Sequence, residues 1–151
     1  MEICYDESML TYFKDPRYEL ALSAGVLYSY ATYIAHIYNC SNLLTYHTFS
    51  LALSSIWFHT MRDDISFWAD QIVLNSWVLM FLYEAYLRHW IAVGLVVVCI
   101  LYSVLIFYVG QMYNIYSYSP IRFWSIFYHM SVHLFSSIFA IIIITMFPVP
   151  K

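Results

Sequence analysis

The sequence predicts an all-α protein, a polytopic bundle of about five transmembrane helices forming a single membrane domain, and three observations predict it. Hydrophobic residues make up 63% of the 151 positions and charged residues 10%, against about 45–50% and about 25% in an ordinary globular chain. No Asp, Glu, Lys or Arg occurs from His89 to Ile121 or from Phe123 to Pro150, and each gap exceeds the roughly 20 residues a helix needs to cross a bilayer. The apolar runs are continuous rather than alternating, and lipid offers backbone amides no partner outside a helix or a closed barrel, so the runs read as helices.

The elements follow in order. The acidic start MEICYDESML, with Glu2, Asp6 and Glu7, lacks the basic and apolar segments of a cleavable signal, so the first span, Leu20 to Tyr38, is expected to direct insertion. The second, Leu43 to Thr60, is the shortest and most polar. The third, Ile65 to Tyr86, follows Asp63 and Asp64, whose charges favour a helix N-terminus. The fourth runs from Trp90 to Met112 and the fifth from Phe123 to Phe147, where Pro148 and Pro150 stop it ahead of Lys151. The connections, beginning with Asn39 to Asn42, leave no room for a separate soluble domain.

Trp90, Trp124 and many of the 16 tyrosines fall near span ends, where an aromatic belt anchors a membrane protein. With the amino terminus inside, Lys14, Arg17, Arg62 and Arg122 lie on the cytoplasmic side against Arg88 and Lys151 outside, a slight positive-inside bias. The net charge of -3 and the lack of a basic run argue against nucleic acid as a partner. Cys4, Cys40 and Cys99 form no CxxC pair and indicate neither a disulfide framework nor a thiolate metal site.

Ionisable groups inside a bilayer are expensive, so His36, His47, His59, Asp70, Glu84, His129 and His133 are the candidates for function. His129 and His133, in HMSVH, are four apart and share one helix face, as two ligands of one metal ion must. Ser55 stands four before His59 in SIWFH, and Asp70 follows eleven residues after it. Parity brings these together. The second span ends, the third begins and the fifth begins on one side of the membrane, which sets Asp70 about 8–9 Å and His129 about 10 Å deep at a rise of 1.5 Å per residue. Three histidines with an open fourth position are the usual shell of a catalytic zinc. A carboxylate beside them can accept the proton of water, and a hydroxyl can orient the groups involved. Glu84 and Arg88, four apart, read as an interfacial pair. His36 and His47 are expected to face loops or headgroups, and His89 to lie in a loop.

Taken together, SxxxH, the following Asp and a terminal HxxxH resemble the CREST superfamily of membrane hydrolases and receptors, which groups alkaline ceramidases, adiponectin-type receptors, the remodelling phospholipases of GPI-anchored proteins and myomaker-like proteins. The segment SSIWFHTMRDDISFWAD looks like the ceramidase pattern and the FHTRD segment of the GPI-remodelling branch, to which LYEAYLR is also similar. The resemblance implies His59, His129 and His133 as zinc ligands, Asp70 as base or as a support behind the ligands, and Ser55 as its polar neighbour. It further implies a membrane lipid amide or ester as substrate and an endomembrane or plasma-membrane location. A second register is open: MRDDI also resembles the myomaker-like pattern, and Ser125 to His129 can be aligned as that branch's HxxxH with its first His lost. In that register His133 is not a motif residue. The chain has about five spans where the family has seven, and loss of one helical hairpin leaves the parity of the last helix unchanged. The competing reading is a non-enzymatic receptor-like, fusion-type or scaffolding protein in which the motif is structural.

Overall fold

Five long helices carry the chain: α1 (Tyr18–Ile37), α2 (Asn42–Met61), α3 (Asp64–Arg88), α4 (Trp90–Tyr113) and α5 (Arg122–Met146). This computed structural model describes residues 16–38 and 40–147. The readings of the acidic start, Cys4, Lys14, Asn39, Pro148, Pro150 and Lys151 lie outside the described residues. No strand occurs among the described residues, and each helix lies within three residues of the span read from hydropathy. The molecule is all-α, as the charge gaps predict.

Four of the helices, α1, α3, α4 and α5, are long and apolar enough to cross a membrane. The helix α2 equals α1 in length at 20 residues but is more polar, and its packing supplies the reason. It lies between α1 and α3, with Thr48, Ser54, Ser55 and His59 buried among its neighbours. Polar side chains turned into the bundle in this way are kept from lipid, where they would be costly. By contrast α4 is the most apolar helix and the least buried. Many large apolar side chains on the bundle's outer face are exposed, among them Leu22, Ile72, Leu79 and Leu101, which suits contact with hydrocarbon rather than water.

Local chemistry sets the helix ends. Ser41 accepts from Leu44 N–H at the start of α2, and Arg62, in the left-handed region at φ 55°, ends it. Asp63 then opens α3 with a capping box: its carboxylate accepts from Ser66 N–H while the Ser66 hydroxyl accepts from Asp63 N–H. Those hydrogen bonds hold the Asp63 carboxyl below its usual range. The cap is therefore complete above the ordinary carboxylate range and weakens as pH falls through the depressed value. His89 lies in the loop, as expected, and its Nδ1 caps α4 by accepting from Ile91 N–H. A π-helical turn at Leu105–Val109 interrupts α4. Beyond it the chain folds back so that Ile115 N–H donates to Gly110 O. A side chain at Gly110 would meet Ile115 O at 2.9 Å, so glycine is required there.

Each helix packs on the next, and α5 closes the ring by packing on both α4 and α1. Alanines and a tyrosine at helical spacing on α1, namely Ala24, Tyr28, Ala31 and Ala35, are buried and let the backbones approach closely, as small residues do where lipid removes the hydrophobic drive. Trp77 is buried mid-helix, stacked on Phe81 at 4.9 Å, with its indole N–H donating to Thr48. Hydrogen bonds fix the helix directions. Arg17 N–H donates to His59 O, so α1 starts beside the end of α2, and the Arg17 guanidinium donates to Ser125 near the start of α5.

Arg17, Arg62 and Arg122 thus gather at one end of the bundle and Arg88 lies at the other, as the order of the spans implies. There the Glu84–Arg88 pair is more than interfacial. Both side chains are buried at an N···O distance of 3.5 Å, Arg88 also donates to Phe147 O at 2.9 Å and to Cys40 Sγ at 3.2 Å, and Ser41 donates to Glu84. Arg88→Ala leaves Glu84 buried without its partner and frees the α5 carbonyl. Breaking such a pair costs about 3–5 kcal/mol. The expected result is a clear drop in thermal unfolding temperature in detergent.

Candidate metal centre

The site forms where the ends of α2 and α5 meet inside the ring. His59 occupies the last turn of α2, and α5 brings His129 and His133 on one face. The three rings form a triangle with centroid separations of 4.8 Å (His59–His129), 5.0 Å (His129–His133) and 5.5 Å (His59–His133). One ring nitrogen from each can be chosen so that all three lie within 4.8 Å of one another, a group that could hold a metal ion. His59 and His133 are buried and His129 is half-buried.

Each ring is held differently. The His129 ring meets the edge of Phe107 at 4.8 Å, a contact supplied by the π-helical turn of α4. The His133 ring lies edge-on to Tyr28, and its Nδ1 is 2.9 Å from the Ser23 hydroxyl of α1. His59 Nδ1 is buried with no hydrogen-bond partner among the described residues. Leaving a buried polar atom unpaired costs about 1–3 kcal/mol, and an unprotonated imidazole nitrogen is what a metal ion ligates. That orphaned atom and the all-imidazole donor set fit a bound transition metal.

His59, His129, His133, Asp70 and Ser55 all line one cavity of about 340 Å³. Asp70 is buried and its Oδ1 accepts from Ser54 at 2.9 Å. The hydroxyl engaged with Asp70 is therefore Ser54, next in sequence to the Ser55 that the motif singles out. Ser55 is buried in the cavity wall. Two residues of the site escaped the sequence reading. Ser54 had a visible signal, the doubled serine ahead of WFH, whereas Ser23 lies 110 residues from His133 and nothing in its neighbourhood marks it.

The remaining candidates lie elsewhere. His36 is exposed, His47 is half-buried and bonded to its own helix at Leu43 O, and Glu84 is held by Arg88. Ser125, the first position of the second register, accepts from Arg17 at 2.7 Å and donates to Ser117 O at 2.5 Å. It is absorbed in joining helix ends, while His133 stands in the triangle.

A second cavity of about 350 Å³ adjoins the first, sharing Tyr28, Gln71, Leu74, Phe107, Tyr108 and Val132 as walls. Its other lining is mostly apolar, with Trp77, Phe81, Val96 and Phe139. The chamber with the histidines thus adjoins a chamber suited to hydrocarbon, between α3, α4 and α5. Comparison with known proteins yields no match: no family model, no curated protein and no solved structure is similar to the chain.

Proposed function

We propose that the protein is a zinc-dependent intramembrane hydrolase of a lipid amide or ester, ceramidase-like or GPI-lipid acyl hydrolase-like, in line with its resemblance to the CREST superfamily. The observation that carries this reading is the meeting of three imidazoles and a buried carboxylate in one cavity, alongside an apolar chamber of similar size. His59, His129 and His133 would hold the ion. Zinc bound there would supply Lewis acidity, polarising a carbonyl and lowering the pKa of a water towards about 7.

The chain's own residues do the rest. The Ser54 hydroxyl occupies Asp70 Oδ1, which orients the carboxylate and leaves Oδ2 to accept a proton. The apolar walls of the second chamber bind an acyl chain and keep water from it. Their shared rim, including Phe107 and Val132, positions the chain's polar end beside the histidines. Substrate enters sideways from lipid, and the loosely packed flank of α4 is the natural route.

The test is direct. Purified protein is assayed for metal content and for hydrolysis of a panel of ceramides and phospholipids. One zinc per chain and release of fatty acid from at least one member of the panel are expected. Protein that binds no zinc overturns the reading. Zinc without hydrolysis of any lipid favours the non-enzymatic alternative, in which the metal ties α2 to α5.

A further inference from the structure

We infer that Ser23, on α1, is a positioning residue that fixes the His133 ring with its proton on Nδ1 and so presents a bare Nε2 to the other two imidazoles. As a statement about ligation this rests on the proposed metal site; as a statement about the ring's tautomer it stands on its own geometry.

The argument is a proton count. The Ser23 hydroxyl has one hydrogen and two neighbours, Leu20 O at 2.9 Å and His133 Nδ1 at 2.9 Å. Leu20 O can only accept, so the hydroxyl hydrogen goes to it when that bond is made. The contact to His133 then requires Nδ1 to donate to Ser23 Oγ. In the neutral ring, a proton on Nδ1 leaves Nε2 with its lone pair free. With the tautomers exchanged, the hydroxyl hydrogen turns to Nδ1, the Leu20 contact loses its proton, and Nε2–H cannot ligate. One tautomer satisfies both contacts and the other satisfies one.

The surroundings favour the satisfied state. Ser23 and His133 are both buried, so water does not replace a missing partner. The Tyr28 ring stands edge-on to His133, with its hydroxyl held by Ser136 at 3.0 Å, which limits rotation of the imidazole. The relay Nδ1–H to Ser23 Oγ to Leu20 O thereby joins α1 to α5, the helix that bears His129 and His133. A hydrogen bond to the far nitrogen of a ligating histidine orients the ring, and loss of such a partner weakens metal affinity about 10–100-fold.

The test has two parts. In metal-free protein carrying ¹⁵N-histidine, the His133 signals are expected to report Nδ1–H in the wild type and a mixture of tautomers in Ser23→Ala. Zinc affinity, measured by chelator competition, is expected to fall about 10–100-fold in Ser23→Ala and to return towards wild type in Ser23→Thr, which keeps the hydroxyl. A wild-type ring protonated on Nε2 overturns the inference, as does unchanged zinc affinity in Ser23→Ala. Wild-type protein that binds no zinc removes the hydrolase reading, and the nitrogen signals then decide the tautomer assignment.

Discussion

His129→Ala is expected to abolish lipid hydrolysis and to reduce bound zinc from one per chain to a trace. His129 is the corner of the triangle closest to His59, at 4.8 Å between ring centroids, and its removal leaves two imidazoles on separate helices. A metal contributes several kcal/mol of charge stabilisation in the transition state, and each 1.36 kcal/mol is tenfold in rate. The loss is therefore on the order of 10³-fold or more. Fold damage is a separate matter, read from the elution profile in detergent, because His129 is only half-buried and its substitution opens little of the core. A variant that keeps wild-type turnover would remove His129 from the chemistry.

Asp70→Asn is expected to keep zinc and lose activity. The amide has the same shape, and its oxygen can still accept from Ser54, but it cannot take a proton. General-base catalysis contributes about 10²–10⁴-fold, so kcat should fall within that range while the metal content stays at one per chain. The two variants thus separate two roles: one loses the ion and the activity together, the other the activity alone. Loss of zinc in Asp70→Asn would instead make the carboxylate a structural support of the site.

Much of this arrangement is legible in the sequence for simple reasons. The charge-free stretches around α4 and α5 announce helices because burying a charge in lipid is costly. The four-residue spacing of His129 and His133 puts both on one face of any helix. The similar depth of His59 and His129 on one side of the bundle follows from the order of crossings, since short connections force neighbouring helices to run in opposite directions. Trp77, in the middle of the third span, is buried with its ring on Phe81, and Thr48 on the neighbouring helix accepts its N–H, a partner the sequence does not mark.

Ser23 and Ser54 show the limit from the other side. Serine is common in this chain and compatible with close helix packing, so its identity alone does not distinguish a spacer from a partner of Asp70 or His133. The π-helical turn of α4 likewise carries no mark in LIFYV, although it supplies Phe107 to the site.

By itself, then, the sequence determined that the chain is a helical membrane bundle and which helices carry the histidines, because hydropathy, helical period and crossing order are properties of the chain read along its length. Only the tertiary structure decided that His59 joins His129 and His133 in one triangle, that Ser54 is the hydroxyl engaged with Asp70, and that Ser23 reaches His133. Those pairings depend on the rotation of each helix about its own axis, which is set by side-chain packing between elements far apart in the chain.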